Sequence, residues 1–265
     1  MAISPKAQVH TSAVIEDGAV IGEDCKVGPF CVVGPKVVLH DRVELKSHVV
    51  VTGDTEVGDD TVIFPFSVIG EIPQDLKFKG EASKLVIGKR NRIRESVTMN
   101  CGTEGGGGLT RVGDDGLFMH GCHVAHDAQI GDRVILVNSV AVAGHCILED
   151  DVIVGGLSGV HQFVRIGKGA IIGAVCMVTN DVIPYGLVQG PRGQLDGLNL
   201  VGLKRRGVPR EDISALRKAF QELGEGEGSF LERSKRIGDS TQSAYVKEII
   251  DFVLGESDRS FLTPQ

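Results

Sequence analysis

Tryptophan is absent from the 265-residue chain, tyrosine occurs twice, and aromatic residues make up only 5%. A core built on large rings is excluded, so small branched side chains must fill the interior. Positive charge is also short, with 28 Lys and Arg against 35 Asp and Glu and a formal net charge of −7. General binding to nucleic acid or to an anionic membrane needs a basic surface, so both are excluded and any basic cluster reads as a local anion site. No apolar run approaches the roughly 20 residues of a spanning helix, and no basic-then-apolar leader opens the chain. The expectation is a soluble, cytoplasmic protein that is not integral to a membrane. Six cysteines without paired spacing fit a reducing compartment.

Glycine, by contrast, is abundant, with 36 residues. The chain falls into a period of six. From Ile3 the chain reads ISPKAQ VHTSAV IEDGAV IGEDCK and onward without a break to Ile69. Each block opens with Ile, Val or Leu, has a small or β-branched fifth residue, often has Gly second, and holds turn formers third and fourth. After the break GEIPQDLKFKGEASKLV the openers return at Ile87, Ile93 and Met99, and after NCGTEGGGGLTR they run from Val112 through Val124, Val142 and Val160 to Val178. Period two would signal a simple strand and period 3.6 a helix; six fits neither. It fits a three-sided prism with a short strand on each face, a turn at each edge and three blocks per coil, stacked by parallel pairing. The expected fold class is β, a parallel β-helix over residues 1–190 with loop insertions near 71–85 and 100–111. Openers point inward, so Cys25, Cys31, Cys122, Cys146 and Cys176, all at the fifth place, are expected to be packing residues. Only Cys101 lies outside the pattern, in a Gly-rich loop.

Past Pro184 the period ends, and GLVQGPRGQLDGLNLVGLKRRG reads as loop. Ile213, Leu216, Phe220 and Leu223 then mark a helix that Gly224 can stop, and Val246, Ile249, Ile250 and Val253 mark a last helix before Gly255. Residues 191–265 are expected to form a small helical domain at the end of the prism.

Five of the eight histidines lie between 120 and 161. On an 18-residue coil His126 stacks beneath Gly144, His145 stands one place along, and His161 falls near the same edge a coil further. His120 and His123 precede them. A metal site needs ligand atoms that converge. The gamma-type carbonic anhydrases share this architecture and draw zinc ligands from neighbouring coils, but their spacing differs and no Cys or carboxylate is evidently placed to complete a set; no metal is expected. A general base fits better. An imidazole can accept a hydroxyl proton near neutral pH, Asp127 can fix its tautomer, and the Gly144 N–H, unobstructed by a side chain, can meet a developing oxyanion.

The solenoid together with HVAHD, AGH, GVHQF, QDLK and GLNLVGLKRRG, followed by a short helical tail, closely resembles the UDP-N-acetylglucosamine 3-O-acyltransferases of lipid A biosynthesis over essentially the whole chain. The resemblance implies a left-handed coil, against the usual right-handed crossover, and a homotrimer with sites between adjacent subunits. It implies His126 as general base toward the sugar 3-hydroxyl, Asp127 as its orienting group and the Gly144 N–H as oxyanion donor. The acyl donor is an (R)-3-hydroxyacyl chain on the phosphopantetheine of acyl carrier protein, and no further cofactor is implied. His123, His145, His161 and Gln162 would contact sugar and donor, while Gln74, Asp75 and Lys77 would reach across to the nucleotide sugar of a neighbouring site. Asn199, Arg205 and Arg206 would hold phosphates. Gly173 and Ala174 would come to the edge of His126 and act as the acyl-chain ruler, so that a medium-length chain is preferred.

One departure stands out: Asn100-Cys101 follows the ESVT strand, where the family commonly has His-Arg. The alternative acceptor is the 3-amino analogue of the sugar. Among rival readings, the 2-amine acyltransferase of the same pathway carries a domain before its repeats, whereas here repeats start at Ile3. A CoA-dependent acetyltransferase would respond to CoA, and an ice-binding scaffold would show a Thr or Ser ladder and leave the histidines unexplained.

Overall fold

The computed structural model describes residues 2–264. Three sheets form the faces of a prism, with nine, eleven and nine strands, and every strand pairs in parallel with the strand one coil away, apart from one antiparallel hairpin. Most strands are two residues long, and His123 pairs with Ala141, Ala141 with Gly159 and Gly159 with Met177, an 18-residue register. The opener of each block is the inward residue: Val124, Val142, Val160 and Val178 are all buried. Parallel ladders of such short strands are stable here because each coil satisfies the backbone of the next and the column of openers is continuous.

The fifth places behave as expected. The five patterned cysteines are buried and free, and Cys25, Cys31 and Cys146 donate to carbonyls of the next coil at 2.8, 2.7 and 3.0 Å. Burial pushes the Cys146 thiol up to about 12, which leaves it unreactive. Cys101 is buried too, beneath the first break, with its thiol directed at the Gly70 carbonyl.

The fourth place is where composition alone misleads. Most of its residues other than glycine sit in the left-handed region with φ of 55–65°, and they include Phe30, Leu157, Phe163 and Val175 as well as Asp and Ser. Each such residue is unfavourable by about 1–2 kcal/mol in isolation; the stacked coils hold it in place. The three edges differ in character. One alternates charge, with paired Arg42–Asp60, Arg90–Asp115 and Arg133–Asp151. A second begins with Phe30, His48 and Phe66, whose rings stand 5.0 and 5.2 Å apart. The third carries Asp127, His145 and Phe163 at successive coils.

The passage after Pro184, read above as loop, is instead a hairpin of strands 186–189 and 194–198, followed by helix α1 (Leu200–Arg205). The sheet therefore continues past the expected limit at residue 190. Helices α2 (Arg210–Gly224), α3 (Phe230–Ser240) and α4 (Ala244–Leu254) complete the chain's regular structure. Gly224 ends inside α2, and Glu225 caps it; Ser229 and Glu232 form a capping box on α3. The helices bind the prism end through the Tyr185 hydroxyl to Glu248, Lys168 to Glu248 at 3.0 Å, and Arg165 to the Phe252 carbonyl at 3.2 Å. Among the described residues no helix is long and apolar enough to cross a membrane.

Candidate active site

His126 occupies the third place of its block, at the start of an edge turn, and is 6% exposed. Its Nδ1 lies 2.8 Å from Oδ2 of Asp127, which the left-handed conformation of Asp127 (φ 61°) turns back toward the ring. Asp127 is held from the other side. Oδ1 accepts the Thr103 N–H at 2.8 Å, Oδ2 accepts the Thr103 hydroxyl at 2.6 Å, and the Asp127 N–H donates to Thr110 Oγ1 at 2.8 Å. The carboxylate is thus fully engaged and buried, and the proton on His126 belongs at Nδ1, leaving the Nε2 lone pair free to accept a proton. Thr103 was not anticipated. It rides on the second break, whose Gly106 passes so close that a Cβ there would fall 2.0 Å from the Asp127 carboxyl carbon; the run of glycines was the available signal.

Gly144 lies one coil above His126, as expected. A Cβ at that position would be 2.6 Å from His126 Cε1, so the ring fits only against glycine. Its N–H has no hydrogen-bond partner among the described residues. The reason is positional: third-place N–H groups stand outside the ladder, which is why Pro5, Pro29, Pro35 and Pro65 can occupy that place. On the charged edge the same N–H groups are capped by third-place carboxylates of the next coil, as in Asp114 to Asp132 and Asp132 to Asp150. On the edge of His126 no such cap is present among the described residues, and a free donor remains beside the imidazole.

His145 crosses His126 edge-on at 5.0 Å and stacks flat on Phe163 at 4.5 Å. Burial pushes the His145 imidazole below its usual range, and burial, with the nearby His126, does the same to His123. His123, His126, Gly144, His161, Gln162 and Gln74 line one groove of about 510 Å³. Asp75 and Lys77 line an adjoining cavity of about 590 Å³ with Thr103, His145 and Phe163. The loop that carries Gln74, Asp75 and Lys77 therefore lies against the histidines of its own chain.

A carboxylate does converge with two of the histidines. Ligand-capable atoms of His126, Asp127 and His145 lie within 4.8 Å of one another. Both Asp127 oxygens and His126 Nδ1 are already joined by the hydrogen bonds above, so the trio is organised as an orienting network.

Two groups of expected residues stand elsewhere in the chain. Asn199 caps α1, accepting the Gly202 N–H at 2.9 Å and donating to the Gly169 carbonyl at 3.0 Å, and the Arg206 guanidinium lies near Gly169 and 5.7 Å over Tyr185. With Arg205 beside it, this cluster belongs to the charged edge. Ala174 also misses the edge of His126. The Val175 N–H donates to Gly156, and Leu157 to Asn138, so Gly173 and Ala174 sit on the edge that carries His120. Beyond His123, Ala141 and Gly159, the next residue along the groove is Met177, which leans over Gly159 so that a Cβ there would meet its Cε at 3.2 Å. Asn100, the departure noted above, is 3% exposed and turns its amide to the Glu71 and Ile72 carbonyls, at 3.3 and 3.0 Å; it anchors the first break and does not line the groove.

A triangular hexapeptide solenoid with a His–Asp pair and a free backbone donor on one edge defines the class: a hexapeptide-repeat transferase. The hexapeptide model of bacterial transferases (six repeats) matches residues 18–53, and the model described as UDP N-acetylglucosamine O-acyltransferase, domain 2, matches residues 181–262. The chain belongs to the UDP-N-acetylglucosamine O-acyltransferase family. It is 46% identical over 99% of its length, and 97% of the relative's, to "Acyl-[acyl-carrier-protein]--UDP-N-acetylglucosamine O-acyltransferase" of Agrobacterium fabrum. A relative of the same name from Paracoccus denitrificans is 70% identical over 77% of each chain. Among solved structures, UDP-N-acetylglucosamine acyltransferase from Campylobacter jejuni superposes with a TM-score of 0.91 at 36% identity, covering 97% of this chain and all of that one. The fold is thus the left-handed parallel β-helix of this family with its C-terminal helices.

Proposed function

We propose that the chain transfers an (R)-3-hydroxyacyl group from acyl carrier protein to the 3-hydroxyl of UDP-N-acetylglucosamine, the first step of lipid A biosynthesis, with His126 as general base. The carrying observation is the Nδ1–Asp127 bond of 2.8 Å beside the unpaired Gly144 N–H. His126 Nε2 takes the hydroxyl proton as the sugar oxygen adds to the thioester carbonyl. The resulting oxyanion accepts the Gly144 N–H, and collapse breaks the carbon–sulfur bond and returns the proton from His126 to the departing thiol. Asp127 keeps the ring in one tautomer and offsets its transient positive charge.

His123, His145, His161, Gln162 and Gln74 contact the sugar and the donor in the groove, with Asp75 and Lys77 toward the nucleotide. The acyl tail runs over Ala141 and Gly159 and stops within the chain at Met177, about 14 Å from His123 by three strand spacings. Asn199, Arg205 and Arg206 serve a site on another copy of the chain in a homotrimer, since no single edge carries all the expected residues, and Gly173 and Ala174 can face the groove only from such a copy. The donor's phosphopantetheine is the only prosthetic group required, and the reaction belongs in the cytoplasm with its carrier protein. Purified protein mixed with UDP-N-acetylglucosamine and a panel of 3-hydroxyacyl carrier proteins should yield the 3-O-acyl nucleotide sugar by mass spectrometry. Absence of an acylated sugar, or acylation from acyl-CoA alone, would defeat the proposal.

A further inference from the structure

The C-terminal tail beyond α4 does not leave the molecule. Ser257 donates to Asp181 at 2.6 Å, the Asp181 N–H donates to the Ser260 carbonyl at 2.9 Å and the Leu262 N–H to the Asp181 carbonyl at 2.8 Å. This strap brings Arg259 to the third edge. Its Nη2 stands 2.7 Å from His161 Nδ1, and its Nε donates to the Gln162 carbonyl at 3.1 Å.

A guanidinium offers donors only, so Nδ1 of His161 must present its lone pair and the ring proton must sit on Nε2. The ring has one competing arrangement. Nδ1 also lies 3.4 Å from the Gln162 carbonyl, which it could reach only as a protonated nitrogen. Arg259 closes that route twice, by donating to Nδ1 at the shorter, charge-assisted distance and by occupying the carbonyl.

We infer that Arg259 is a positioning residue that fixes His161 as the Nε2–H tautomer, so that the ring meets a ligand in the groove as a hydrogen-bond donor. His161 lines that groove with His126 and Gly144, standing over Ala143 in the next coil. In the acyl transfer proposed above, on which this consequence rests, the donor end serves an oxygen of the donor or acceptor. Without Arg259 the ring turns its proton to Nδ1 and the Gln162 carbonyl, and Nε2 becomes an acceptor facing an acceptor.

The tautomer is measurable without substrate. Full-length protein labelled with 15N-histidine, with the His161 signals identified by their loss in His161→Gln, should show a protonated Nε2 and an unprotonated Nδ1. Arg259→Ala should move His161 toward the Nδ1–H form and lower kcat by about 10- to 100-fold, the worth of one charge-assisted hydrogen bond, with KM and melting temperature nearly unchanged. Arg259→Lys, which keeps a donor, should retain the tautomer and most of the rate. A wild-type His161 protonated at Nδ1, or a ring unaffected by Arg259→Ala, would overturn the inference; should Arg259→Ala fail to fold, Arg259→Met, which keeps the apolar stem without a donor, takes its place. Wild-type protein that shows the Nε2–H tautomer but transfers no acyl group would sink the proposed reaction and leave the role of Arg259 standing.

Discussion

Replacing Gly144 by alanine tests the geometry of the base with the smallest available change. The glycine lies outside the left-handed region, so its backbone accepts alanine, and the substitution would ordinarily add about 0.4–1 kcal/mol of stability through the unfolded chain. Its new methyl, however, falls 2.6 Å from His126 Cε1 and 2.8 Å from Nε2. Carbon contacts settle at about 3.5–4.0 Å, so the imidazole must retreat by about 1 Å. Asp127 holds the far side of the ring at 2.8 Å and His145 crosses it at 5.0 Å, so the retreat comes from the tilt that aims Nε2 at the hydroxyl. A misplacement of that size costs about 10² in rate. Steady-state acyl transfer by Gly144→Ala should therefore fall about 100-fold in kcat in protein that still melts cooperatively, the overpacking cost of about 1–3 kcal/mol being partly offset by the gain in the unfolded chain. Because the loss acts through His126, the double variant with His126→Ala should be no slower than His126→Ala alone. Wild-type turnover in Gly144→Ala, or additive losses in the double variant, would refute the reasoning.

Met177→Gly should open the groove beyond Gly159 and shift the preferred donor to longer acyl chains, by about 10- to 200-fold in relative kcat/KM; an unmoved optimum in the donor panel would remove Met177 as the stop. Dialysis against a strong chelator should leave activity intact, whereas stoichiometric metal whose removal abolishes turnover would reassign His126, Asp127 and His145 as ligands. Burial keeps the His123 imidazole below its usual range, so the unfolded chain binds its proton first as the pH falls. Stability should hold above about pH 6.5 and decline below it toward the lower folded-state value, a slope that thermal melts of His123→Gln should show reduced.

The prism was legible because its signal is redundant: an inward Val, Ile or Leu every sixth residue suits neither a helix nor a simple strand, and the buried Val124, Val142 and Val160 obey it. The His126–Asp127 pair was legible because adjacent residues needed only the edge turn to join them. Thr103 was not, since the second break inserts residues between strands 98–100 and 109–112 and the count from coil to coil fails there. Ala174 was misassigned by the count itself, for it lies three whole coils after His120 and not after His126. The hairpin at 186–198 escaped because antiparallel pairing abandons the period of six, and Arg259 because nothing in the tail's composition foretells that it straps back onto Asp181.

The central claim is that His126 removes the acceptor proton. It is tested most directly by His126→Ala, assayed by mass spectrometry for acyl transfer to UDP-N-acetylglucosamine alongside a thermal melt. The account predicts a loss of about 10²–10⁴ in rate in protein that melts close to wild type, because the side chain makes its hydrogen bond to Asp127 and packs against Gly144 at an edge, outside the column of openers. A variant that turns over at the wild-type rate would contradict it.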